Sequence, residues 1–274
     1  MSLGIVFKGP EGIVLAADSR VTLQAILAGG PQQVAIQASY DNATKLLRVN
    51  QQNYVGVVTY GIGAIGQQQP RTAQSFIPEF EAELSAAGVE RLGTDEFATK
   101  LSEFFVRQWN LHMQGVQIPG DMEFLVGGYD KGQPYGRVFE FKIPNDPTPR
   151  EQNQDTFGIT FGGQTETTAR LLQGFDSRVI QVAATALKLN PQQLATLEHD
   201  LRARIGIQIP FQFLPLQDCV DLSIFLIRAT IEIQSLSVGI RGVGGSIDVA
   251  TITRTDGFKA IQQKLIAGER RQSN

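Results

Sequence analysis

The sequence predicts an α+β protein in which helices cover both outer faces of paired sheets. Three observations lead to this class: strand hairpins occupy the first third of the chain and its middle, amphipathic helical segments follow each group of strands, and a strand pair ends the pattern. Strands and helices in such separate runs build layered cores, because each sheet must bury a face against a neighbouring layer.

The first third of the chain has the pattern of a sheet. Residues 3–17 predict a hairpin whose two apolar strands are separated by a turn cluster at residues 9–12. Residues 28–37 are rich in glycine and glutamine and predict a loop. Residues 54–59 are rich in valine and predict a buried strand.

Two amphipathic helices are predicted next, over residues 71–86 and 94–112. In the second helix, apolar side chains recur at helical spacing from Phe97 to Trp109, and Thr94 is the expected N-cap. Each helix is therefore expected to pack one face on the sheet.

Another hairpin is predicted in the middle of the chain. Residues 122–141 predict its two strands, and a polar loop is expected over residues 144–155. Asn190 and Pro191 predict the capped start of a later helix. The remaining helical patterns and strands cover residues 165–174, 178–189, 191–205 and 218–234, followed by strands at 246–254 and after the turn at 255–257.

Composition limits the functions that are open to the chain. Its 274 residues have a formal net charge of −3 and no long run of like charges, so we expect no nucleic-acid partner, which would require a concentrated basic face. No apolar stretch is long enough for a bilayer and no signal pattern opens the sequence, so we expect no membrane association and a cytoplasmic location. A single cysteine agrees with a reducing compartment. Because we find no linker or repeat, residues 1–274 are interpreted as one domain.

The chain is poorly supplied for catalysis that depends on histidine. His112, His199 and the one cysteine, Cys219, fit structural or surface positions, and no metal-ligand spacing occurs, so we predict neither a metal nor a cofactor. Ser2 offers another nucleophile. Removal of Met1 would leave its hydroxyl beside a free α-amine, whose ordinary pKa of about 8 suits a general base.

The first hairpin carries a family resemblance. Residues 12–20 resemble the opening of proteasome β-type subunits and their bacterial relatives, and an ungapped count back from Asp18 places Ser2 on the family's N-terminal threonine nucleophile. Residues 44–49 resemble the segment that carries the family's active-site lysine, at Lys45, after an insertion of about ten residues.

Later segments continue the resemblance in the family's order, so it covers most of the chain. Residues 187–217 are left as an apparent insertion and the residues after about 258 as a C-terminal extension. The resemblance implies a four-layer αββα sandwich, the N-terminal-nucleophile hydrolase fold. The matching later segments are residues 54–61, 124–130, 162–163, 244–245 and 256–257.

The resemblance also implies roles for individual residues. Ser2 would attack a peptide carbonyl with its α-amine as base, Lys45 would lower the proton affinity of the nucleophile site, and Asp18 would hold Lys45. A backbone N–H near Gly61 would stabilise the oxyanion.

The residues after Asp18 complete the predicted site. Ser19 and Arg20 belong to the Asp-Ser-Arg segment of the resemblance and are expected to support the catalytic residues. A structural interpretation is also open, in which Asp18 ends a strand and pairs with Arg20 while Lys45 lies on a solvated strand face.

Two positions depart from the family's pattern. Gly163 stands where catalytic members have a serine, and residues 240–243 lack the aspartate and serine that precede the later glycine pair. Such groups orient the terminal amine and its proton path, so their loss would slow or end catalysis. Residues that could substitute from a shifted register are Ser235, Ser237, Glu232 and Asp248.

These observations predict a proteasome-like peptidase that assembles with itself into a ring or stacked ring, acts on peptides or unfolded protein, and could work with an unfoldase. A first alternative is an inactive ring or scaffold subunit of the same fold. A second is an N-terminal-nucleophile amidohydrolase of a small amide, with residues 187–217 forming a wall of its site.

Overall fold

Antiparallel sheets and helices make up the described part of the chain, which comprises residues 2–27, 34–67, 69–115, 119–239 and 241–266 of a computed structural model. This confirms the α+β class. The strands are β1 (Leu3–Lys8), β2 (Ile13–Asp18), β3 (Val21–Leu27), β4 (Val34–Tyr40), β5 (Leu46–Leu47), β6 (Val55–Gly61), β7 (Met122–Gly128), β8 (Arg137–Ile143), β9 (Asp146–Gln152), β10 (Gly158–Gly163), β11 (Ile247–Thr253) and β12 (Gly257–Gln262). The helices are α1 (Ala73–Ala86), α2 (Thr94–His112), α3 (Glu166–Gln173), α4 (Ser177–Leu187), α5 (Pro191–Ile205) and α6 (Leu216–Leu236), with a 3-10 turn at Phe211–Phe213.

Two five-stranded sheets are present in these ranges. The first has the order β10-β1-β2-β11-β12 and the second the order β5-β6-β7-β8-β9, while β3 and β4 form a separate hairpin. In the first sheet, Leu3 at the start of β1 is opposite Gly163 at the end of β10. Asp18 at the end of β2 is opposite Ile247 at the start of β11. The ends of four strands therefore meet where the predicted site residues lie.

One face of the first sheet packs with the second sheet. Val6, Ile13 and Leu15 belong to the same buried cluster as Val58 and Leu125 of the second sheet. Side chains alternate along a strand, so every second residue of β1 and β2 lies in this layer. These two strands are buried on both faces, as their continuous apolar runs require.

The other face of each sheet packs on helices. Leu3, Ile5 and Phe7 of β1 share a cluster with Cys219 and Leu226 of α6. The outer face of the second sheet is buried by α1 and α2 through a group of phenylalanines in edge and stacked contacts, namely Phe76, Phe80, Phe97, Phe104, Phe105, Phe124 and Phe141.

The loop predicted over residues 28–37 is wrong in part. Residues 34–37 belong to β4, which pairs along its whole length with β3; residues 28–33 lie outside the described residues. The sequence of β4 alternates, with Val34 and Ile36 two residues apart, and β-branched residues at that spacing favour a strand despite the neighbouring glycines and glutamines.

The loop predicted over residues 144–155 is also wrong in part, because it contains β9. This strand pairs with β8 and has no further neighbour among the described strands. Pro147 and Pro149 argued against a strand, since proline cannot donate to a ladder, but an edge strand tolerates it. Cross-strand pairing of Arg137 with Glu151 further stabilises the edge.

The predicted helices begin and end within two residues of the observed ones. Asn190 forms the expected cap, and Gln193 completes a reciprocal capping box with it. The predicted N-cap at Thr94 is wrong, since Gly93 occupies that position. The N–H of Thr94 instead donates to Asp130 Oδ1 at 2.6 Å, so the hairpin turn after β7 supplies the cap.

Residues 187–217, the apparent insertion, contain α5, and no side chain of this helix is buried. Its position against α3 and α4 leaves it on the outside of the molecule. Among the described helices, none has the length and apolar character needed to cross a bilayer.

Candidate active site

Asp18, the last residue of β2, is the centre of the site. It is fully buried, and both of its carboxylate oxygens accept hydrogen bonds. The donors to Oδ1 are Leu3 N at 3.0 Å and Lys45 Nζ at 2.7 Å, and the donors to Oδ2 are Arg20 N at 3.1 Å and Gly244 N at 2.9 Å. The carboxylate thereby ties the start of β1, the turn after β2 and the segment before β11 to one lysine.

Lys45 forms a buried ion pair with Asp18. The lysine lies just before β5, and its carbonyl oxygen accepts a hydrogen bond from Thr59 N at 2.9 Å, which fixes the backbone against β6. Burial lowers the pKa of Lys45 below its usual value, the charge of Asp18 opposes this, and the positive charges of Lys264 and Arg20 add to the lowering. The ammonium is therefore more acidic than that of an ordinary lysine.

Ser2 lies beside this pair and is only 4% exposed. Its carbonyl oxygen accepts a hydrogen bond from Gln164 N at 2.7 Å, just after β10. Ser2 and Lys45 line the same small cavity of about 20 Å³, together with Thr59 and Tyr60. A cavity of this size has room for about one water molecule. The structure thus brings together three of the predicted residues.

Gly61 lies at the end of β6, next to rather than on this cavity. It has a φ of +79°, and a Cβ there would lie 2.2 Å from the Asp121 carbonyl oxygen, so the position requires glycine for its own backbone. The glycine that lines the cavity beside Ser2 is Gly63, two residues later. The sequence pattern Gly-Ile-Gly contained this second candidate, and spacing alone did not separate the two.

Ser19 and Arg20 support the site in different ways. Ser19 is fully buried; its N–H donates to Gly244 O at 3.0 Å, and its carbonyl oxygen accepts from Ala43 N at 2.9 Å. Arg20 donates through Nε and Nη2 to the two carboxylate oxygens of Asp41, at 2.5 and 2.8 Å. Hydrogen bonding to Arg20 lowers the pKa of Asp41. Arg20 therefore pairs with Asp41 and leaves the carboxylate of Asp18 to Lys45.

The first position that departs from the family's pattern is built around its glycine. Gly163 has a φ of +95°, and a Cβ there would lie 2.0 Å from the carbonyl oxygen of Ser2. A serine could not occupy this backbone without moving the start of β1. The missing hydroxyl is therefore a property of the local fold and not of one side chain.

At the second departure, Val243 is buried and its N–H donates to Gln234 Oε1 at 2.9 Å. The Gln234 amide in turn contacts Gln164 Oε1, so two glutamines connect the backbone beside Ser2 to the backbone before β11. No local sequence pattern indicates this connection, because the two glutamines are 70 residues apart.

Of the four proposed substitutes, one lies near the site. Asp248 is buried and pairs with Lys264. Ser235 and Ser237 are exposed and donate to carbonyl oxygens of their own helical segment, and Glu232 is exposed. Lys264 was not among the predicted site residues, because it belongs to the segment interpreted only as an extension.

His112 and Cys219 make packing contacts, and His199 is exposed. The ring of His112 lies 5.9 Å from that of Phe76. Cys219 is buried under the first sheet, and burial raises the pKa of its thiol to about 11. Within the described ranges, no group of three or more histidine, cysteine, aspartate or glutamate side chains is placed to hold a metal.

A larger cleft of about 540 Å³ lies at the far end of β1, where Lys8 and Tyr135 line it. Lys8 donates to the carbonyl oxygens of Asn153 and Gln154, at 2.6 and 2.8 Å. Leu3 and Lys8 are at opposite ends of β1, and the strand rises about 3.3 Å per residue, so this cleft is separate from the Asp18 site.

Comparison with known proteins gives a fold and no sequence family. No family model matches the chain, and no curated protein matches its sequence. Among solved structures 283 chains match. One of them is an Anbu (Gly-1) mutant from Hyphomicrobium sp. strain MC1, with a TM-score of 0.55 and 15% sequence identity over 96% of this chain and 86% of that chain.

The chain has a proteasome-like fold. At 15% identity the similarity shows a shared backbone fold and says nothing about the chemistry of individual side chains. The roles of Ser2, Asp18 and Lys45 therefore depend on the geometry described above.

Proposed function

We propose that the protein is a proteasome-like peptidase whose nucleophile is Ser2, exposed as the N-terminal residue by removal of Met1. The observation that carries this is the double contact at Asp18 Oδ1, which accepts from the Leu3 N–H and from Lys45 Nζ. One carboxylate oxygen thus fixes the backbone that follows Ser2 and the cation beside it. Covalent catalysis needs an activated nucleophile, and a positive charge held close to it is one way to activate it.

The proposed architecture is the four-layer αββα sandwich of N-terminal-nucleophile hydrolases. Three separate buried clusters support it: one between α1, α2 and the second sheet, one between the two sheets, and one between the first sheet and α6. We interpret residues 1–274 as one domain, with residues 187–217 as an insertion and the residues after about 258 as an extension.

The mechanism follows from the positions of these groups. Ser2 Oγ attacks the carbonyl carbon of a peptide bond while its proton passes to the α-amine, directly or through a water. The amine then gives the proton to the leaving nitrogen, and the acyl ester on Ser2 is hydrolysed by water. The charge of Lys45 favours the deprotonated hydroxyl. The backbone N–H of Gly63, which lines the cavity beside Ser2, is the proposed oxyanion donor.

Covalent labelling tests the nucleophile. After confirmation of Met1 removal, a β-lactone or peptide boronate is expected to add to Ser2, as identified by mass spectrometry of the modified peptide. Ser2→Ala should abolish labelling and Lys45→Met should reduce it strongly. Ser235→Ala is the matched control, because this exposed serine bonds only to its own helix. Equal labelling in Ser2→Ala and the original protein would refute the assignment.

A second function is favoured by a specific observation, the built-in absence of a hydroxyl at Gly163 and Val243. We infer that a chain with Met1 retained would serve as an inactive subunit of the same assembly, since the nitrogen of Ser2 would then be an amide. Intact mass of the purified protein decides between the two. A mass that includes Met1 removes the proposed base, and a mass without it supports the peptidase.

The proposed peptidase acts in the cytoplasm as a ring or stacked ring of identical subunits, on peptides or unfolded protein, with an unfoldase as a possible partner. Size-exclusion chromatography with light scattering tests the assembly. A monomer at every concentration up to about 0.1 mM, a range in which even weak specific contacts form, would contradict it.

A further inference from the structure

The segment after β12 returns to the start of β11 and brings a lysine to the candidate site. Gln262 Nε2 donates to Ile247 O at 2.7 Å, and Lys264 N donates to Asp248 Oδ1 at 2.9 Å. The Lys264 ammonium also pairs with Asp248 Oδ2. Only 11% of the Lys264 side chain is exposed. The lysine is therefore held in place along both its backbone and its side chain.

The same ammonium makes a second contact, which leads into the site. Lys264 Nζ donates to Ser19 Oγ at 3.0 Å. Ser19 lies between Asp18 and Arg20 in the chain, and the Arg20 N–H donates to Asp18 Oδ2. The Ser19 N–H is already bonded to Gly244 O, and Ser19 is fully buried. The contact with Lys264 therefore holds the Ser19 hydroxyl in place as well.

We propose that Lys264 is a positioning residue for the Asp18 and Lys45 pair, acting through Ser19 and through its own charge. For its kinetic consequence the inference depends on the proposed function; its structural and electrostatic part does not. The segment predicted only as an extension thereby becomes part of the site.

The charges that surround Lys45 support this role. Asp18 contacts it directly, and among the described residues Lys264 and Arg20 are cations that repel it. Each of these cations has its own carboxylate, Asp248 for Lys264 and Asp41 for Arg20. Burial is the main reason that the pKa of Lys45 is low, and Lys264 lowers it further. Loss of the Lys264 charge should raise the pKa of Lys45.

The test is a pH titration of the Lys45 side chain by ¹³C NMR, in full-length protein labelled at lysine Cε and assigned with Lys45→Arg. In Lys264→Met the pKa of Lys45 is expected to rise, and Lys264→Arg should restore the original value. Lys259→Met is the matched control, since this lysine lies exposed on β12. An unchanged titration of Lys45 in Lys264→Met would overturn the inference.

Asp248→Asn gives an independent check should Lys264→Met fold poorly. It leaves the Lys264 ammonium without its carboxylate, so the pKa of Lys45 is expected to fall, the opposite direction from Lys264→Met. No change, or a rise, would also overturn the inference.

The kinetic test measures acylation of Ser2 by the β-lactone. Lys264→Met is expected to slow it by about tenfold to a hundredfold, the usual cost of a small displacement of reacting groups, and to extend the alkaline limb of its pH profile upward. Lys264→Arg should recover most of the rate. If the original protein is not acylated at all, the proposed function fails, and the titration of Lys45 still decides the role of Lys264.

Discussion

Replacement of Asp18 by asparagine is expected to be among the most damaging single changes in the protein. Asparagine keeps the shape but offers one acceptor oxygen in place of two. Because each carboxylate oxygen of Asp18 faces two donors, either orientation of the amide sets its NH2 group against two other donors. The change also leaves the buried ammonium of Lys45 without its partner.

Removal of one partner from a buried ion pair costs about 3–5 kcal/mol. We expect Asp18→Asn to lower the free energy of unfolding by about that amount. Lys45→Met should cost less, about 1.5–3 kcal/mol for a lost hydrogen bond to a charged group, because three backbone N–H groups still bind the carboxylate. The double variant should lose at least about 1 kcal/mol less than the two single losses added together.

Urea unfolding at matched protein concentration measures the free energy of unfolding of the original protein, the two single variants and the double variant. The values are comparable if the four m values are equal. Asp41→Asn serves as the control, because the Arg20 and Asp41 pair is partly exposed, at 21% and 46% of the two side chains. Such a pair contributes about 0–1 kcal/mol. Losses that add within about 0.5 kcal/mol, or a larger loss for Lys45→Met than for Asp18→Asn, would refute the view of Asp18 as the shared acceptor.

Three further predictions concern the surroundings of this pair. Gly163→Ser is expected to lower the melting temperature and not to speed acylation of Ser2, since its Cβ would lie 2.0 Å from the Ser2 carbonyl oxygen; faster acylation would show that the missing hydroxyl can be restored. Hydrogen bonds from Arg20 lower the pKa of Asp41. The stability that this carboxylate adds is therefore present above its unfolded pKa of about 3.9 and is lost as pH falls through its folded pKa. The melting temperature of Asp41→Asn should consequently change less with acid than that of the original protein. The thiol of Cys219, with its pKa raised to about 11 by burial, should resist alkylation at pH 8 in the native protein and react after denaturation, and rapid native labelling would contradict its placement.

The sequence was sufficient for the helices and central strands because their signals are local. The capping box of Asn190 and the spacing from Phe97 to Trp109 lie within single helices, and no distant residue is needed to interpret them. The strand β9 was missed for the opposite reason. Its two prolines forbid a central strand, and only the position of β9 at the edge of the sheet makes the sequence compatible with pairing.

The candidate site shows the same division between local and distant information. Asp18, Ser19 and Arg20 form one short segment, and its likeness to a known pattern placed them together with Ser2 and Lys45. Lys264 is 245 residues from Ser19 along the chain. A single lysine after the last strand has the sequence pattern of a solvent-exposed tail. Its contact with Ser19 arises only because β11 and β12 return the chain to β2.

The hydrogen bonds that join the backbone near Ser2 to the backbone near Val243 affect how a proton could move at the candidate site. The backbone beside Ser2 and the backbone of Val243 are joined by the neutral amides of Gln164 and Gln234. Amides hold geometry but cannot relay a proton at neutral pH. The α-amine of Ser2 would then have to accept the proton itself, and Lys45 would supply the positive charge beside it. The acidity of that single lysine, and the groups that control it, would therefore decide whether this fold supports catalysis.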